Sequence, residues 1–327
     1  MTMNVVNELD LSATRIVVPD CSGNLDIETA FRQHLLGVDG VEIFLSSPEN
    51  VEAHSGRVGR ARTMLQFFSA APVPTRVLNE SVLERIVIAG PVGRSVDVEA
   101  ARARHIAVYE APGLAADAVA EYTVTLFLAL ARQLVRSCED LKAGEWRPRF
   151  GRELGGKTIG LVGLGEIGSR VARICQAFST RVLAWSPGLT EMRAAQCGVQ
   201  RVDLKELAER SDVVSLHLRE SPRTRGIFDA ELIGSMRSTA VLVNTARARL
   251  VDGPALRTAL EIGKIAGAAL DVFESEPIDR TSPWATTRNV ILSPHMAWMT
   301  HDAVDRFVRA AVSYVVNGDE SCVRRVA

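Results

Sequence analysis

Several short apolar runs in the chain stop at side chains able to do chemistry. DVVSL leads into His217, AVLVN into Thr245, Ala246 and Arg247, GAAL into Asp271 with Glu276 shortly after, and NVILSP into His295. Taken singly, a charged residue at the end of a strand is more often a cap or a surface ion pair than a functional group. The combination says more. A guanidinium offers a bidentate fork for a carboxylate, an imidazole exchanges a proton near neutral pH, and a neighbouring carboxylate orients the imidazole and favours its charged form. Arg247, His295 and Glu276 supply those three parts: a grip on an acid, a proton carrier, and a partner for the carrier.

The elements that must position them alternate along the chain. The runs RIVVPD (15–20), VEIFLSS (41–47), RIVIAG (85–90) and IAVYEA (106–111) read as strands. Segments such as DIETAFRQHLL and DVEAARARH lie between them and carry apolar residues at helical spacing. Strand and helix in alternation imply a parallel sheet covered on both faces. Residues 1–112 are therefore expected to form one α/β unit. After Pro112-Gly113, LAADAVAEYTVTLFLALARQLVRSCEDLKAG predicts one long bridging helix closed by Gly144. A second alternating series follows, KTIGLVG, TRVLAW, DVVSLHL, AVLVNTA, GAALDVF and NVILSPH, within an expected unit at 113–301. The helical pattern DAVDRFVRAAVSYVVNG in 302–327 is expected to return and complete the first unit. At 327 residues the chain exceeds what one core usually serves, which agrees with two domains.

Two glycine motifs compete for a phosphate. Gly151-Arg-Glu-Leu-Gly-Gly156-Lys157-Thr158 matches GxxxxGK[ST], and Gly163-Leu-Gly165-Glu-Ile-Gly168 matches GxGxxG. The first must follow a strand and open a helix, but it follows AGEWRPRF and leads into the strand-like IGLVG, so its context is inverted. The second follows TIGLVG and precedes SRVARICQAF, as a dinucleotide-binding turn requires. Gly163 would permit the tight turn, Gly165 the approach of a pyrophosphate, and Gly168 close packing of helix on strand, with Glu166 and Ile167 between them. Glu166 is tolerable beside phosphates only if it points to solvent. In VLAWSPGLT, Ser186 stands where the next strand would normally end in a carboxylate for the ribose hydroxyls. Lack of that acid permits NADP without selecting it, and Pro187 is no cation for a 2′-phosphate. NAD or NADP is the expected cofactor, with NAD favoured. Ligands of open α/β sheets sit outside the carboxyl ends of the strands, where Arg247, Asp271 and His295 also fall. The fold class expected is α/β: two doubly wound parallel-sheet domains, one a Rossmann dinucleotide-binding domain, with a cleft between them. Beside a nicotinamide, the three chemical parts describe hydride transfer to or from a molecule with a hydroxyl next to a carboxylate.

Composition narrows the partners. The net charge of −1 offers no general field for nucleic acid or an anionic membrane, which leaves a small molecule as the expected partner. Five cysteines without CxxC spacing suit free thiols in a reducing compartment. The opening MTMNVVNELDLSA lacks a basic region followed by an apolar one, and Tyr122 to Ala131 is too short to span a bilayer. A cytoplasmic location is the expectation. No metal-ligand spacing stands out.

The motifs GLVGLGEIG, VLVNTARARLVD, GAALDVFESEP and NVILSPHMAW, in this order, resemble the D-isomer-specific 2-hydroxyacid dehydrogenases, a family that includes phosphoglycerate, glyoxylate and hydroxypyruvate reductases. VDVEAARARHIAVYEAPG and AVAEYTVTLFLALAR extend the likeness over nearly the whole chain. The resemblance implies that Arg247 binds the carboxylate and carbonyl of a 2-oxo acid, that His295 is the acid/base, and that Glu276 pairs with it. It implies cofactor contacts from Asp271 near the nicotinamide amide, from the backbone of Thr245 and Ala246, and from His217 as a wall of the adenosine side. It matches Gly90-Pro-Val92-Gly93 to the loop whose amides receive the substrate carboxylate, although the spacing to Asp97 differs. A homodimer built on the dinucleotide domain is implied as well.

The likeness also leaves departures and rivals. The family usually has glycine after its arginine, whereas here Ala248 and Arg249 follow, and alanine would cost roughly 1 kcal/mol if that position needs positive φ. Arg249 reads either as a solvated loop residue or as a contact for a second anionic group. Formate dehydrogenases share the fold but replace the glutamate by glutamine, so Glu276 argues against them. A phosphite dehydrogenase-like enzyme keeps all three residues. A non-catalytic dinucleotide-sensing interaction protein of the same fold is the alternative of a different class.

Overall fold

The computed structural model describes residues 16–327. They form two compact units, one holding the described residues up to Leu114 with Thr300–Ala327, the other Ala115–Met299.

The first unit opens with β1 (Ile16–Val18), α1 (Leu25–His34), β2 (Val41–Ile43), α2 (Val51–Val58), β3 (Thr63–Phe67), α3 (Thr75–Glu80), β4 (Arg85–Ala89), α4 (Val98–Ala103) and β5 (Ala107–Glu110). These strands are parallel, in the order β5-β4-β3-β1-β2. Four of them fall in the runs that the sequence marks out. β3, TMLQF, does not, because it is buried along its whole length and carries Gln66 in place of an apolar residue. That amide is tolerated in the core because its Nε2 donates to the Ala71 carbonyl at 2.9 Å. Val17, Met64, Ile86, Ile88 and Val108 face one helical layer, against Val58, Val77, Leu78 and Ala101.

The second unit contains α5 (Ala116–Ala131), α6 (Leu134–Lys142), β6 (Thr158–Val162), α7 (Glu166–Ala177), β7 (Arg181–Trp185), α8 (Glu191–Gln196), β8 (Gln200–Arg201), α9 (Leu204–Arg210), β9 (Val213–Leu216), α10 (Ala230–Ser235), β10 (Val241–Asn244), α11 (Gly253–Glu261), β11 (Gly267–Leu270) and β12 (Val290–Leu292). Its seven strands are parallel in the order β12-β11-β10-β9-β6-β7-β8. The order reverses between β6 and β9, so this is a doubly wound sheet with its switch point there. Strand residues sort by parity onto the two faces, as the two-residue period demands. Ile159, Leu161, Val182, Ala184, Val213 and Val243 join one core with α5 and α7. Val162, Leu183, Val214, Leu216, Leu242 and Leu270 join the other with α9 and α11. Asp203, Asp229 and Asp252 cap α9, α10 and α11 by accepting from Glu206, Leu232 and Ala255 amides.

The single long helix expected from 114 to 144 is instead two, bent by 62°. Gln133 takes a left-handed φ of 49°. The returning chain supplies the reason: the Arg152 amide takes the Ala131 carbonyl at 2.7 Å, and Gln133 Nε2 donates to the Phe150 carbonyl at 3.1 Å. Gly144 does end α6, at φ 81°, with its amide on the Leu141 carbonyl and that of Glu145 on Asp140. This paired arrangement is the one glycine favours after a helix. Among the described residues no single helix is long and apolar enough to cross a membrane. The α5–α6 pair passes by length and composition, but Ala120, Val124 and Phe127 of α5 are buried in the unit's own core.

The chain returns to the first unit as α12 (His301–Asn317), capped by Thr300 and closed by Gly318. His34 Nε2 of α1 lies 2.7 Å from Asp305, and Phe307 meets Phe67 edge-on at 6.2 Å. His301, 86% exposed, pairs loosely with Asp26 on the surface of the same unit. β13 (Arg324–Arg325) then adds antiparallel to β5.

Gly160, in the middle of β6, tests the packing of α9 on this sheet. A Cβ there would sit 2.2 Å from Ser211 Oγ and 2.6 Å from Leu207 Cδ2. Gly160→Ala is expected to destabilise by about 1–3 kcal/mol in urea unfolding. Gly234→Ala, in α10 with open space around its Cβ, is expected to gain about 0.5–1 kcal/mol. Equal midpoints for wild type and Gly160→Ala would show that α9 yields instead.

Candidate active site

The carboxyl ends of five strands form one row in the second unit. Val162, Leu216, Asn244, Leu270 and Leu292 are successive register partners across β6, β9, β10, β11 and β12. The residues that follow each of them, Gly163, His217, Thr245, Asp271 and Ser293, therefore stand side by side along one edge.

At the switch point the backbone comes very close. Gly163 has φ 115°, and a Cβ on it would lie 2.6 Å from the His217 carbonyl oxygen. A Cβ on Gly168 would lie 2.1 Å from the Gly163 oxygen. Neither position admits a side chain. Gly165 differs: nothing lies within 4 Å of its Cβ position, and it opens α7 with no side chain capping the helix. The turn thus leaves space, uncapped amides and the positive end of a helix at one place, which fits a pyrophosphate. Glu166 does not spoil it. Its carboxylate is 73% exposed and accepts from Arg170 one turn along, at 2.8 Å. Ile167 is half-buried and packs against the α5 side of the core. Gly151 to Lys157 turns into β6, so the competing glycine motif has no helix to open.

Ser186 follows β7, half-buried, and its carbonyl receives the Leu189 amide in a tight turn that exposes Pro187 and Gly188. His217 Nε2 lies 2.9 Å from Ser215 Oγ. The residue keeps some exposed surface, but its ring is packed densely enough that desolvation lowers its pKa to about 3. A ring that stays neutral at neutral pH suits a wall, not an acid.

The end of β10 is shaped by a residue that the motif reading passed over. Asn244, 1% exposed, accepts from the Ala246 amide at 3.0 Å and donates from Nδ2 to the Arg247 carbonyl at 2.9 Å. Its signal was an asparagine ending an apolar strand, the residue type that most often bonds nearby backbone in turns. Thr245 turns inward, its hydroxyl 2.9 Å from that of Thr123 on α5, which leaves its backbone at the strand end. Arg247 is extended at φ −145° and exposed, and its Nη1 donates to the Ala246 carbonyl at 2.6 Å. Ala248 opens a one-turn 3₁₀ helix, Ala248–Leu250, and is not among the residues at positive φ, so alanine carries no backbone strain there. Arg249 is exposed.

At the end of β11, Asp271 is 0% exposed and both of its carboxylate oxygens accept hydrogen bonds. Oδ1 accepts from the Ser293 hydroxyl at 2.6 Å and the Met296 amide at 3.0 Å, and Oδ2 accepts from the Ala297 amide at 2.8 Å. Three donors from one turn converge on it, and inside that turn sits His295 at φ 51°. Such a φ is uncommon outside glycine and is held only where surrounding bonds enforce it. His295 Nδ1 lies 2.7 Å from Glu276 Oε2, while Oε1 of Glu276 accepts from the Phe273 amide at 2.8 Å. The carboxylate only accepts, so Nδ1 carries a proton and Nε2 is the nitrogen left for exchange. The structure therefore joins Glu276 to His295 directly. Arg247 lies at β10, two strand ends from β12, with no bond to either.

Val92 and Gly93 lie in the first unit, in the loop after β4. The Val92 amide donates to Glu110 Oε2 at 2.7 Å, so it is already engaged. Gly93, at φ 49°, is exposed.

Residues 124–297 match the family model described as D-isomer specific 2-hydroxyacid dehydrogenase, NAD binding domain. The chain is 42% identical over 226 residues to a D-3-phosphoglycerate dehydrogenase of Methanocaldococcus jannaschii, covering 67% of this chain and 43% of that one. It is 35% identical over 252 residues to a glyoxylate reductase of Korarchaeum cryptofilum, covering 75% and 76%. A phosphoglycerate oxidoreductase structure from Vibrio cholerae superposes with a TM-score of 0.79 at 30% identity, covering 93% and 98%. The chain spans less than half the length of three D-3-phosphoglycerate dehydrogenases that it matches. On the motifs, the doubly wound sheet and these matches, the chain belongs to the D-isomer specific 2-hydroxyacid dehydrogenase family.

Proposed function

We propose that this chain is an NAD(P)-dependent oxidoreductase that interconverts a 2-oxo acid and a D-2-hydroxy acid. The observation that carries the reading is the His295–Glu276 pair at 2.7 Å, on a turn held by Asp271 in the same row of strand ends as Arg247. Gly163, Gly165, Glu166, Ile167 and Gly168 would hold the pyrophosphate at the start of α7, with Ser186 at the ribose, His217 beside the adenosine, and the backbone of Thr245 and Ala246 further along. When bound, the nicotinamide supplies or accepts a hydride. Arg247 grips the acid's carboxylate and the neighbouring oxygen by its fork and stabilises charge that grows on that oxygen. His295 gives a proton from Nε2 to that oxygen in reduction and takes it back in oxidation. Glu276 fixes the ring's tautomer and balances the imidazolium. The Gly93 amide would receive the substrate carboxylate, with Val92 shaping that loop. A cytoplasmic location belongs to the same reading, supported by five free cysteines.

A panel of 2-oxo acids with NADH and NADPH tests the reading. Turnover is expected with at least one acid. His295→Ala and Arg247→Ala are expected to lower kcat/KM by at least about 10²-fold with dinucleotide affinity retained. Consumption of neither cofactor with any acid would instead favour a dinucleotide-sensing interaction protein.

NAD is the preferred cofactor in this proposal, because no cation adjoins Ser186 in sequence. Ser186→Asp is expected to lower KM for NADH and raise it for NADPH. Unchanged constants for both would remove Ser186 from the ribose.

The homodimer is part of the proposal too. α6 buries none of its residues, and the segment after it leaves Trp146 83% and Phe150 100% exposed, near exposed Leu134 and Leu141. So many large apolar side chains in one stretch suit a second copy better than water. Wild type is expected to sediment as a dimer and Trp146→Asp/Phe150→Asp as the 35.5 kDa monomer. A monomeric wild type at tens of micromolar would end this part of the reading.

A further inference from the structure

Glu110, the last residue of β5, is a buried carboxylate that the chemistry above does not use. Its side chain is 6% exposed. A charge so placed needs dedicated partners. One oxygen, Oε1, receives Arg324 through Nε at 2.7 Å and through Nη2. The other, Oε2, receives the Val92 amide at 2.7 Å. Arg324 is delivered by β13, whose register sets it directly opposite Glu110, and the Val326 amide holds the strand end on the Val108 carbonyl.

The loop that carries Val92 is fixed at its two ends by other means. Gly90 has φ 123° and lies against Phe68, where a Cβ would come within 2.2 Å of the ring, and its carbonyl accepts from the Ala111 amide. Ser95 donates from Oγ to the Phe68 carbonyl at 2.9 Å and from its amide to the Val92 carbonyl. Between those ends, the bond that draws the loop onto the sheet is the one from Val92 to Glu110.

We propose that Glu110 and Arg324 are positioning residues for the substrate-carboxylate loop: Glu110 holds the Val92 peptide so that the Gly93 amide is presented, and Arg324 keeps Glu110 in place. The step from loop position to substrate binding rests on the proposed function above. An amide that receives a carboxylate must be set within a few tenths of an ångström, so loosening the Val92 peptide weakens acid binding before it touches anything in the second unit.

The test uses the full chain with glyoxylate as probe acid. Arg324→Ala is expected to raise KM for glyoxylate about tenfold, with kcat and the dissociation constant for NADH within about twofold, while Arg324→Lys returns most of the loss. Glu110→Gln, which keeps an acceptor oxygen but loses the charge, is expected to fall between and serves if Arg324→Ala does not fold. Hydrogen exchange at the Val92 amide is expected to quicken at least tenfold in Arg324→Ala, and this is read without any turnover. A KM within twofold of wild type in both Arg324→Ala and Glu110→Gln overturns the proposal. So does an equal loss of NADH affinity, or unchanged exchange at Val92. If wild type reduces no 2-oxo acid, the function reading fails by itself, and the exchange result alone decides whether Glu110 and Arg324 hold the loop.

Discussion

A buried carboxylate held by uncharged donors is the constraint on which the candidate site depends. Asp271 loses hydration on all sides and regains it from three donors, all of them from the turn after β12. A hydroxyl and two amides cannot converge on one carboxylate unless the peptide between them doubles back. That reversal is what holds His295 at positive φ, with its own amide on the Ser293 carbonyl at 3.0 Å. The strain at one residue, on the order of 1–3 kcal/mol, is offset by charge-assisted hydrogen bonds in a dry setting. The gain is direction: the imidazole leaves the turn with Nδ1 toward Glu276. Glu276 is anchored in turn by the Phe273 amide, two residues past Asp271 on the same strand end. One aspartate thus organises both members of the pair.

The two strand-end histidines show how surroundings assign roles to the same side chain. His217 stands at the switch point, with its ring on the Ser215 hydroxyl and the Gly163 turn pressed against its backbone. Desolvation keeps it neutral down to about pH 3. His295 is at the rim and faces a carboxylate. Only the second has a carboxylate partner placed to orient a proton-carrying ring. The low-lying titration of His217 also means that it binds no proton when the unfolded chain would, so it opposes folding below its unfolded pKa of about 6.5 and is silent above it.

Much of this was legible in the sequence, and the failures share a cause. Apolar runs bounded by glycine or polar residues located β6, β7, β9, β10, β11 and β12, and GxGxxG with strand before and helix after located the turn into α7. Glu276 and His295 were readable as a pair because their chemistry is carried by side-chain type. What was hidden rests on backbone partners. The break at Gln133 arises because the Arg152 amide takes a carbonyl of α5, and nothing in the helical period of QLVRSCEDL announces that. β3 was hidden by Gln66, whose partner is a carbonyl five residues away. Asp271 reads from its position as a contact to a ligand, and its hold on one hydroxyl and two amides of the turn after β12 was not readable. The Val92 amide, matched to a substrate loop, is engaged by Glu110, and no motif spans residues 92, 110 and 324.

The charges around the α7 turn explain why cofactor choice is left to so few atoms. A dinucleotide brings negative charge to a helix N-terminus, and any carboxylate nearby works against it. Glu166 is the first residue of α7, but Arg170 draws its carboxylate one turn along the helix, and Arg170 is itself shared with Asp117. The other carboxylate common at such a site, at the end of the second strand, is replaced by Ser186. The field at the turn is therefore set by backbone amides and the helix dipole, neither of which distinguishes a ribose hydroxyl from a phosphate ester. Discrimination has to come from what reaches the 2′ position. The tight turn from Ser186 to Leu189, proposed to lie there, offers a hydroxyl and a proline and has no cation among its four residues. The proposed preference for NAD therefore rests on one serine hydroxyl at that turn, and is a small one.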